Sequence, residues 1–514
     1  MEWDFVIVGA GSAGCVLANR LSASGRHRVL LLEAGGHDVR PYVHLPIGYG
    51  KTFTQSAVNW MYETEPEPQL GGRRIYQPRG KVMGGSSSIN AMVWVRGHPR
   101  DFDDWGPGWG WSDVRPWFER AESTVDVVSM ERGVHPLSRV WLDACEGLGL
   151  RRTDDFNVVA EGAGLEGVGT YRNTMRGGMR LSAARAYLPW TVRRRPNLRI
   201  VRRAHATRVL MDGRRAVGAE YVRGGQTVQA HAAETIVSGG AFNSPQLLQL
   251  SGIGPGASLR EHGIAPVVDL PVGEGLQDHL FIDMSLRVSR PSLNGELRGH
   301  RLVRHAFTYA MRRKGPLSMG VNQVGGFVRT GGGNTPDMQV YFAPISYHRP
   351  AAGETGPIRL DDFPGVSLSA QPARPTSRGR VAIRSADPFA PPLIAPNYLG
   401  TQADRDAMLR GARLLRSMAG AEPLADLVES EVLPGESVRT DADWHSDIAR
   451  RAGTVYHPVG TCGMGRVVDG EGRVLGVERL RVVDASIFPA ITSGNTNAPT
   501  IMLAERLADA ILRG

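Results

Sequence analysis

The sequence has few cysteines and no long apolar run, and both absences limit its possible functions. Cys15, Cys145 and Cys462 are the three cysteines among 514 residues, and their spacing matches neither disulfide pairs nor a metal site. This usage fits a reducing cytoplasm and argues against a zinc site. Since no apolar run reaches the ~20 residues that a membrane-spanning helix needs, no membrane span is expected.

Basic residues are too scattered to indicate a nucleic-acid surface. The chain has 60 Lys and Arg against 51 Asp and Glu, a net charge of +9, but only RRRP at 193–196 is dense. This pattern favours a solvated surface. The first strand-like run begins at Trp3 behind an acidic residue, so we expect no signal peptide and a cytoplasmic protein. The length suits two connected domains or one large α/β unit.

The N-terminal stretch DFVIVGAGSAGCVLANRLS predicts a strand, a tight turn and a helix in succession. Gly9, Gly11 and Gly14 have the spacing that lets a chain turn sharply beside a pyrophosphate at a helix N-terminus. A second buried strand, VLLLE, ends at Glu33, whose carboxylate can accept hydrogen bonds from an adenosine ribose. Glu33 would also repel a 2′-phosphate, so the pattern favours NAD or FAD over NADP.

Two further glycine-rich stretches stand beside apolar runs. GKVMGGSSSINAMV at 80–93 has little side-chain bulk, so its backbone can approach a flat ligand closely. GGAFNSPQLLQLSGIG at 239–254 predicts a glycine turn followed by a short helix. A flexible linker would rarely be flanked by apolar runs like those beside 80–93, whereas 239–254 alone is also compatible with an ordinary strand-to-helix connection.

Together these stretches resemble the two signature patterns of the glucose-methanol-choline (GMC) family of FAD-dependent oxidoreductases, particularly its choline dehydrogenase-like and hydroxymethylfurfural oxidase-like members. The resemblance continues through 375–399, YHPVGT and LRVVDASIFPAITSGNTNAPTIMLAERLAD. It implies an α/β fold whose doubly wound FAD-binding domain is discontinuous. The expected domains are 1–154, 196–289 and 441–514 for FAD, with 155–195 and 290–440 forming an inserted substrate domain built on an antiparallel sheet with flanking helices.

The resemblance also implies a catalytic pair. His457, in the HPVGT stretch, is expected to take the hydroxyl proton of an alcohol while hydride passes to flavin N5. Its partner is expected close to the C-terminal helix, and aligning TIMLAERLAD with that helix favours Asn497. Asn495, two residues earlier, is the alternative, and turn chemistry is a third explanation for both asparagines.

Cofactor contacts follow from the same resemblance. The expected FAD-binding residues are Gly9, Gly11, Ser12, Ala13, Gly14, Glu33, Ala34, Met83, Gly84, Gly85, Ser87, Asn90, Ala91, Met92, Val93, Ala206, Asp484 and Ala485. Family members with covalently bound FAD can carry histidine where this chain has Ile89, so noncovalent binding is expected.

Substrate identity is less constrained. Gln323 stands at the position expected to carry a carboxylate in choline-handling members, while Trp60 and Tyr456 can supply aromatic walls. A small neutral primary alcohol, of aryl or hydroxymethyl type, is therefore preferred to choline, with O2 or a quinone-type acceptor. Other possibilities are a lyase or photodecarboxylase on the same fold, or a non-enzymatic flavoprotein.

Overall fold

The computed structural model describes residues 2–158, 164–348 and 359–513, and two large sheets organise them. The first sheet runs, in spatial order, through Leu198–Arg202, Val29–Glu33, Trp3–Val8, Gln226–Val237, Arg215–Arg223 and His205–Asp212, with Leu480–Val482 paired to Gln226–Val237. The first four strands in this order pair in parallel, as does Leu480–Val482, whereas the last three strands form an antiparallel meander. This is the doubly wound arrangement that the sequence predicted.

The second sheet is mainly antiparallel. Its strands, in spatial order, are Val428–Leu433, Leu280–Val288, Gly365–Pro372, Met338–Ala343, Val324–Val328, Gly167–Thr170 and Arg152–Thr153, and Gly453–Thr454 pairs with Leu280–Val288. Leu280–Val288 therefore belongs to this sheet although the sequence placed residues up to 289 in the FAD-binding domain. This strand pairs with Gly365–Pro372 along one edge and with Gly453–Thr454 and Val428–Leu433 along the other, so the second sheet begins before the domain boundary expected after residue 289.

Within the described ranges, shorter strands form five small sheets. Their members are Glu274–Leu276 with Gly379–Ala382 and Leu393–Ala395, Val127–Ser129 with Arg172–Arg176 and Met179–Arg180, Ile253–Gly254 with Val268–Asp269, Tyr347–His348 with Arg359–Leu360, and Tyr62–Glu63 with Tyr76–Gln77.

Helices cover both large sheets. The α-helices are Ser12–Leu21, Pro41–His44, Tyr49–Thr52, Pro99–Asp103, Trp111–Glu122, Pro136–Gly147, Ala183–Tyr187, Trp190–Arg193, Gly240–Leu250, Gly256–Glu261, Leu293–Glu296, Gly299–Arg312, Gln402–Ala419, Asp441–Arg451 and Asn497–Arg513. Ser12–Leu21 packs against Asn497–Arg513 beside the first sheet, and Gln402–Ala419 packs on the second sheet. The two sheets consequently have separate apolar cores.

The first strand, turn and helix follow the predicted order, with Trp3–Val8 leading through the glycine turn, residues 9–14, into Ser12–Leu21. Gly9 has a φ of 104°, which favours glycine. A Cβ atom on Gly14 would lie 1.9 Å from the carbonyl oxygen of Gly9, whereas a Cβ on Gly11 would meet no heavy atom within 4 Å. Gly14 is thus required for close packing of the helix against the turn, and Gly11 is not.

We expect Gly14→Ala to destabilise the cofactor-free protein and Gly11→Ala to leave its stability unchanged. The clash at Gly14 is with backbone, so the turn must move, at a cost of about 2 kcal/mol or more. Apparent melting temperatures, recorded at one heating rate, measure the difference between the two variants. Equal melting temperatures for both variants and the parent protein would show that the turn relaxes without cost.

Candidate active site

A single cavity of about 2000 Å³ extends from the glycine turn to His457 and is lined by residues of both large sheets. Fourteen of the predicted cofactor residues line it. They are Gly9, Gly11, Ser12, Ala13, Glu33, Ala34, Gly85, Asn90, Ala91, Met92, Val93, Ala206, Asp484 and Ala485. Stretches far apart in the sequence therefore face one continuous space, long enough to bring the glycine turn and His457 into the same site.

The glycine-turn end of the cavity suits an anionic, ribose-bearing ligand. Helix Ser12–Leu21 begins there, and its N-cap residue Gly11 leaves the first N–H groups without a side-chain cap. Glu33 Oε1 accepts a hydrogen bond from Gly35 N at 2.7 Å, and Oε2 accepts one from Ala10 N at 2.9 Å. Burial raises the pKa of Glu33 to about 7, against the effect of these two N–H groups. The carboxyl group is thus rigidly held and has remaining lone pairs.

Four predicted cofactor residues do not line the cavity but support the residues that do. Gly14 packs against the turn, and Met83 N donates a hydrogen bond to Gly36 O at 3.1 Å. The hydroxyl of Ser87 donates to Gly84 O at 2.6 Å and accepts from Ala183 N at 2.9 Å. These residues therefore pack against or hydrogen-bond to other parts of the protein and hold the cavity-lining segments in place.

Arg180 is a further support that the sequence did not reveal. It is fully buried, and its guanidinium donates to Val43 O at 2.9 Å, to Ser87 O at 3.3 Å and to Asn90 Oδ1 at 2.7 Å. Desolvation lowers the pKa of Arg180 to about 9. Its three bonds clamp the 87–90 loop against the segment around Val43, and nothing local in the sequence marks it for this role.

His457 lies at the far end of the cavity with both ring nitrogens engaged. Its Nδ1 is 3.0 Å from Nδ1 of His279, and its Nε2 is 3.1 Å from Nδ2 of Asn495. The Nε2 atom of His279 lies 2.9 Å from the carbonyl oxygen of Ala373. The four groups form one hydrogen-bonded chain.

These hydrogen bonds determine which ring nitrogen of His457 carries the proton. A carbonyl oxygen only accepts, so His279 carries its proton on Nε2 and presents an unprotonated Nδ1. His457 must then donate from Nδ1, which leaves its Nε2 unprotonated and able to accept from the Asn495 amide. Burial first, then the nearby His279 and Arg79, hold the pKa of His457 well below its ordinary value. The ring is therefore neutral, and its unprotonated Nε2 accepts from the Asn495 amide in the wall of the cavity.

The structure places Asn495, rather than the preferred Asn497, beside His457. The side chain of Asn497 instead accepts a hydrogen bond from the hydroxyl of Ser12 at 2.7 Å, at the start of the C-terminal helix. Both asparagines line the cavity, but at different points along it. The physical reason is that residues 493–496 form a loop, so the offset from the helix does not determine which side chain turns toward the imidazole.

Asp101 holds the loop that carries Asn495. Its carboxylate accepts from Ser493 N at 2.6 Å and from the Ser493 hydroxyl at 2.9 Å, and it pairs with Arg374 at 2.9 Å. On the other side of the amide, the buried hydroxyl of Tyr341 faces Asn495, and burial raises the pKa of Tyr341 well above its ordinary value. The amide is therefore held between a fixed loop and a neutral phenol.

The backbone of His457 is fixed by a buried carboxylate, Asp278. Its oxygens accept from five groups in four segments: His279 N at 2.9 Å, His457 N at 2.7 Å, Thr454 Oγ1 at 2.6 Å, Tyr398 Oη at 2.5 Å and Gln77 Nε2 at 3.3 Å. Sequence reasoning missed Asp278 and His279, although both lie in the polar QDH interruption at 277–279 just before an apolar strand.

The three predicted substrate residues have different positions. Tyr456 and Trp60 line the cavity, and Trp60 stacks on Tyr62 with the ammonium of Lys81 4.3 Å from its ring centroid. Gln323 is buried away from the cavity, where its Oε1 accepts from His135 N at 2.8 Å. Contrary to the prediction, Gln323 therefore does not reach the cavity, because its amide oxygen accepts a backbone hydrogen bond at the start of helix Pro136–Gly147.

Neither a metal cluster nor a membrane-spanning helix is found in the described part of the chain. No three His, Cys, Asp or Glu side chains among residues 2–158, 164–348 and 359–513 converge as metal ligands. Within the same ranges, no helix has the length and apolar character to cross a bilayer.

We expect Asp278→Asn to lower the midpoint of urea unfolding. The amide turns a donor toward groups that are themselves donors, and hydrogen bonds to a charged acceptor each contribute about 1.5–3 kcal/mol. The exposed strand-end variant Asp212→Asn is the matched control and should unfold like the parent protein. An unchanged midpoint for Asp278→Asn would mean that the five bonds do not stabilise the site.

Comparison with known proteins agrees with this geometry. The family model described as GMC oxidoreductase matches residues 3–281 in its N-terminal part and 375–504 in its C-terminal part. The chain is 41% identical to an alcohol dehydrogenase (acceptor) of Pseudomonas putida, with 99% of this chain and 96% of the relative covered. It is 39% identical to an oxygen-dependent choline dehydrogenase of Vibrio vulnificus, with 99% and 94% covered.

A solved structure, pyridoxine 4-oxidase from Mesorbium loti, is 30% identical and superposes with a TM-score of 0.88 over 100% of this chain and 99% of that one. Both parts of the family model and the full-length similarity fit the two-sheet fold and the single long cavity. The chain belongs to the GMC oxidoreductase family of FAD-dependent, alcohol-oxidising enzymes.

Proposed function

We propose that this enzyme oxidises a small, neutral primary alcohol, of aryl or hydroxymethyl type, to the aldehyde, with His457 as the base that removes the hydroxyl proton. The observation that carries the proposal is the unprotonated Nε2 of His457, which faces the cavity beside the Asn495 amide. An alcohol becomes a good hydride donor only as its proton leaves, so a neutral base at this point suits the reaction.

FAD fits the cavity on two observations of this chain. The glycine turn is open toward the cavity at Gly11, where an added Cβ would meet no atom, and the uncapped helix N-terminus faces the same space. Glu33 is placed to hold an adenosine ribose, and the 90–93 backbone, with Asp484 and Ala485, would hold the remainder. When bound, FAD supplies the two-electron oxidant of the reaction.

Attachment of FAD is proposed to be noncovalent. Ile89 lines the cavity at the position where covalent family members can carry histidine, and its hydrocarbon side chain forms no such bond. The three cysteines, Cys15, Cys145 and Cys462, are buried and do not line the cavity.

Proton removal is assigned to His457 and positioning of the substrate oxygen to Asn495. As Nε2 takes the proton, the Asn495 amide can donate to the oxygen that becomes alkoxide-like, since its Nδ2 already lies 3.1 Å from that nitrogen. His279 accepts from Nδ1 throughout and keeps the reactive lone pair on Nε2. Asn497 is instead proposed to support the cofactor end of the site through Ser12.

A neutral substrate is preferred because Asp283, a carboxylate in the cavity wall, already forms an ion pair. Asp283 lines the cavity and pairs with Arg451 at 3.1 Å, so it is a poor partner for a quaternary ammonium. Choline remains the second candidate, since a similar protein is a choline dehydrogenase and Trp60 and Tyr456 offer the aromatic faces that bind such cations. The acceptor is proposed to be O2 or a quinone-type compound.

The proposal is tested by anaerobic reduction of bound flavin with a panel of alcohols that includes choline, followed by turnover with O2 or a quinone analogue. We expect an aryl or hydroxymethyl alcohol to bleach the flavin fastest. His457→Ala should retain FAD but reduce it at least about a hundredfold more slowly, since general-base assistance is worth ~10²- to 10⁴-fold. Flavin that no alcohol bleaches would favour a lyase or photodecarboxylase.

The pH profile adds a check on the same histidine. The active form is the neutral ring, and its lowered pKa moves protonation to lower pH, so the rate should stay at its plateau as pH falls from 8 past 6.5. His279→Leu should slow reduction about tenfold or more, because Nδ1–H loses its acceptor, and His279→Asn should restore part of the rate. Wild-type rates in His457→Ala at every pH would exclude this base.

The two asparagines should separate chemistry from cofactor binding. Asn495→Ala should slow flavin reduction about tenfold or more with a normal FAD content, because it removes the amide beside the base. Asn497→Ala should lose FAD more readily while the bound flavin is reduced at nearly the parent rate. FAD-to-protein ratios and stopped-flow absorbance measure both effects. A slower reduction in Asn497→Ala than in Asn495→Ala would return the role to Asn497.

A further inference from the structure

Helix Gly299–Arg312 turns its apolar side toward solvent. Val303, Phe307 and Met311 are 69%, 69% and 68% exposed. Soluble surfaces rarely present such a row of large apolar side chains on one element, and a helix of this kind usually buries them. The exposed row therefore indicates a binding surface that a partner covers.

The three most exposed large apolar residues of the helix stand one above another on a single face. Val303, Phe307 and Met311 follow an i, i+4, i+8 spacing, and Ala306 and Ala310 fill the gaps between them. The helix is held to the protein by its other side, where Tyr309 is buried and His305 Nε2 lies 2.7 Å from Glu296 Oε2. The apolar face is thus fixed outward by the packing of the opposite face.

Positive charge surrounds this face. The segment 296–314 contains six basic residues against the single acid Glu296: Arg298, Arg301, Arg304, Arg312, Arg313 and Lys314. Glu296 is shared by Arg301 at 3.0 Å and Arg304 at 3.6 Å. The excess charge is therefore positive and lies beside and at both ends of the apolar row. Arginine and lysine next to large apolar side chains on one exposed helix are typical of a helix that lies in a membrane interface.

The same segment forms part of the cavity wall. Leu302 and the flanking Leu297 and Leu317 line the cavity that reaches His457, whereas Val303, Phe307 and Met311 do not. The outward face and the cavity wall are consequently two sides of one element. A partner covering the face would lie next to this edge of the cavity.

We propose that the face formed by Val303, Phe307 and Met311, with its basic surround, docks this enzyme on an anionic phospholipid membrane. Insertion of the three side chains among the acyl chains buries apolar area, while the arginines and Lys314 contact the phosphate groups. A second copy of this chain suits the face less well, because a symmetric contact would oppose its excess positive charges. Docking places the Leu302 edge of the cavity at the bilayer and requires no particular alcohol as substrate.

The test is vesicle flotation of the FAD-loaded enzyme with phosphatidylcholine vesicles that contain either 30% phosphatidylglycerol or none. We expect binding to the anionic vesicles, weakening as salt rises and surface charges are screened. Replacing Val303, Phe307 and Met311 together by serine should lower the vesicle-bound fraction at least about tenfold. Replacing Arg304, Arg312 and Lys314 by glutamine should lower binding by roughly fivefold per charge.

A matched control removes three other exposed apolar side chains, with Val39→Ser, Val158→Ser and Leu512→Ser combined, and should bind vesicles like the parent protein. Each variant should keep the parent FAD content and the same flavin reduction by a water-soluble alcohol, which shows that it is folded. The proposal is overturned if the parent fails to float with anionic vesicles, if the serine triple still floats, or if sedimentation shows a dimer that the serine triple abolishes.

Discussion

The buried carboxylate of Asp278 is the constraint on which the reactive end of the site depends. Burying a charge is costly unless every lone pair is used, and here five donors from four segments converge on it. One of them, Thr454, belongs to the short strand that pairs with Leu280–Val288, so the same group ties His457 to the second sheet. The backbone position of the base is thereby decided by an interaction that never touches the substrate.

The hydrogen-bonded chain from Ala373 to Asn495 then sets the chemistry of the imidazole. Burial of the ring and the nearby His279 and Arg79 favour the neutral form, but a lowered pKa also makes His457 a weaker base. Under the proposed mechanism, a weak base of this kind removes an alcohol proton most readily when the carbon loses hydride in the same event. Arg79, whose guanidinium donates to Tyr456 O at 2.8 Å, adds positive charge near the imidazole that further lowers that pKa.

The sequence predicted the structure correctly where the interacting residues lie close together in the chain. Gly9, Gly14 and Glu33 lie within one strand–turn–helix–strand unit, and the structure has that unit as predicted. The partner of His457 was mispredicted because 493–496 is a loop whose orientation is decided by Asp101, nearly 400 residues earlier in the chain. Asp278, His279 and Arg180 were missed for the same reason. Each acts through contacts between distant segments, and no spacing in one stretch of sequence encodes such a contact.

The exposed helix shows a different limit of sequence reasoning. Apolar residues at i, i+4 and i+8 predict an amphipathic helix, but the pattern is the same whether the apolar face meets the core or the solvent. Only the packing distinguishes the two, here through Tyr309 and the His305–Glu296 contact, which hold the opposite side inward. Arginine and lysine residues cluster at both ends of this stretch, and they would be costly to bury without partners. The charge pattern of 298–314 therefore argues against a core position for Val303, Phe307 and Met311, and the structure shows that these side chains are exposed.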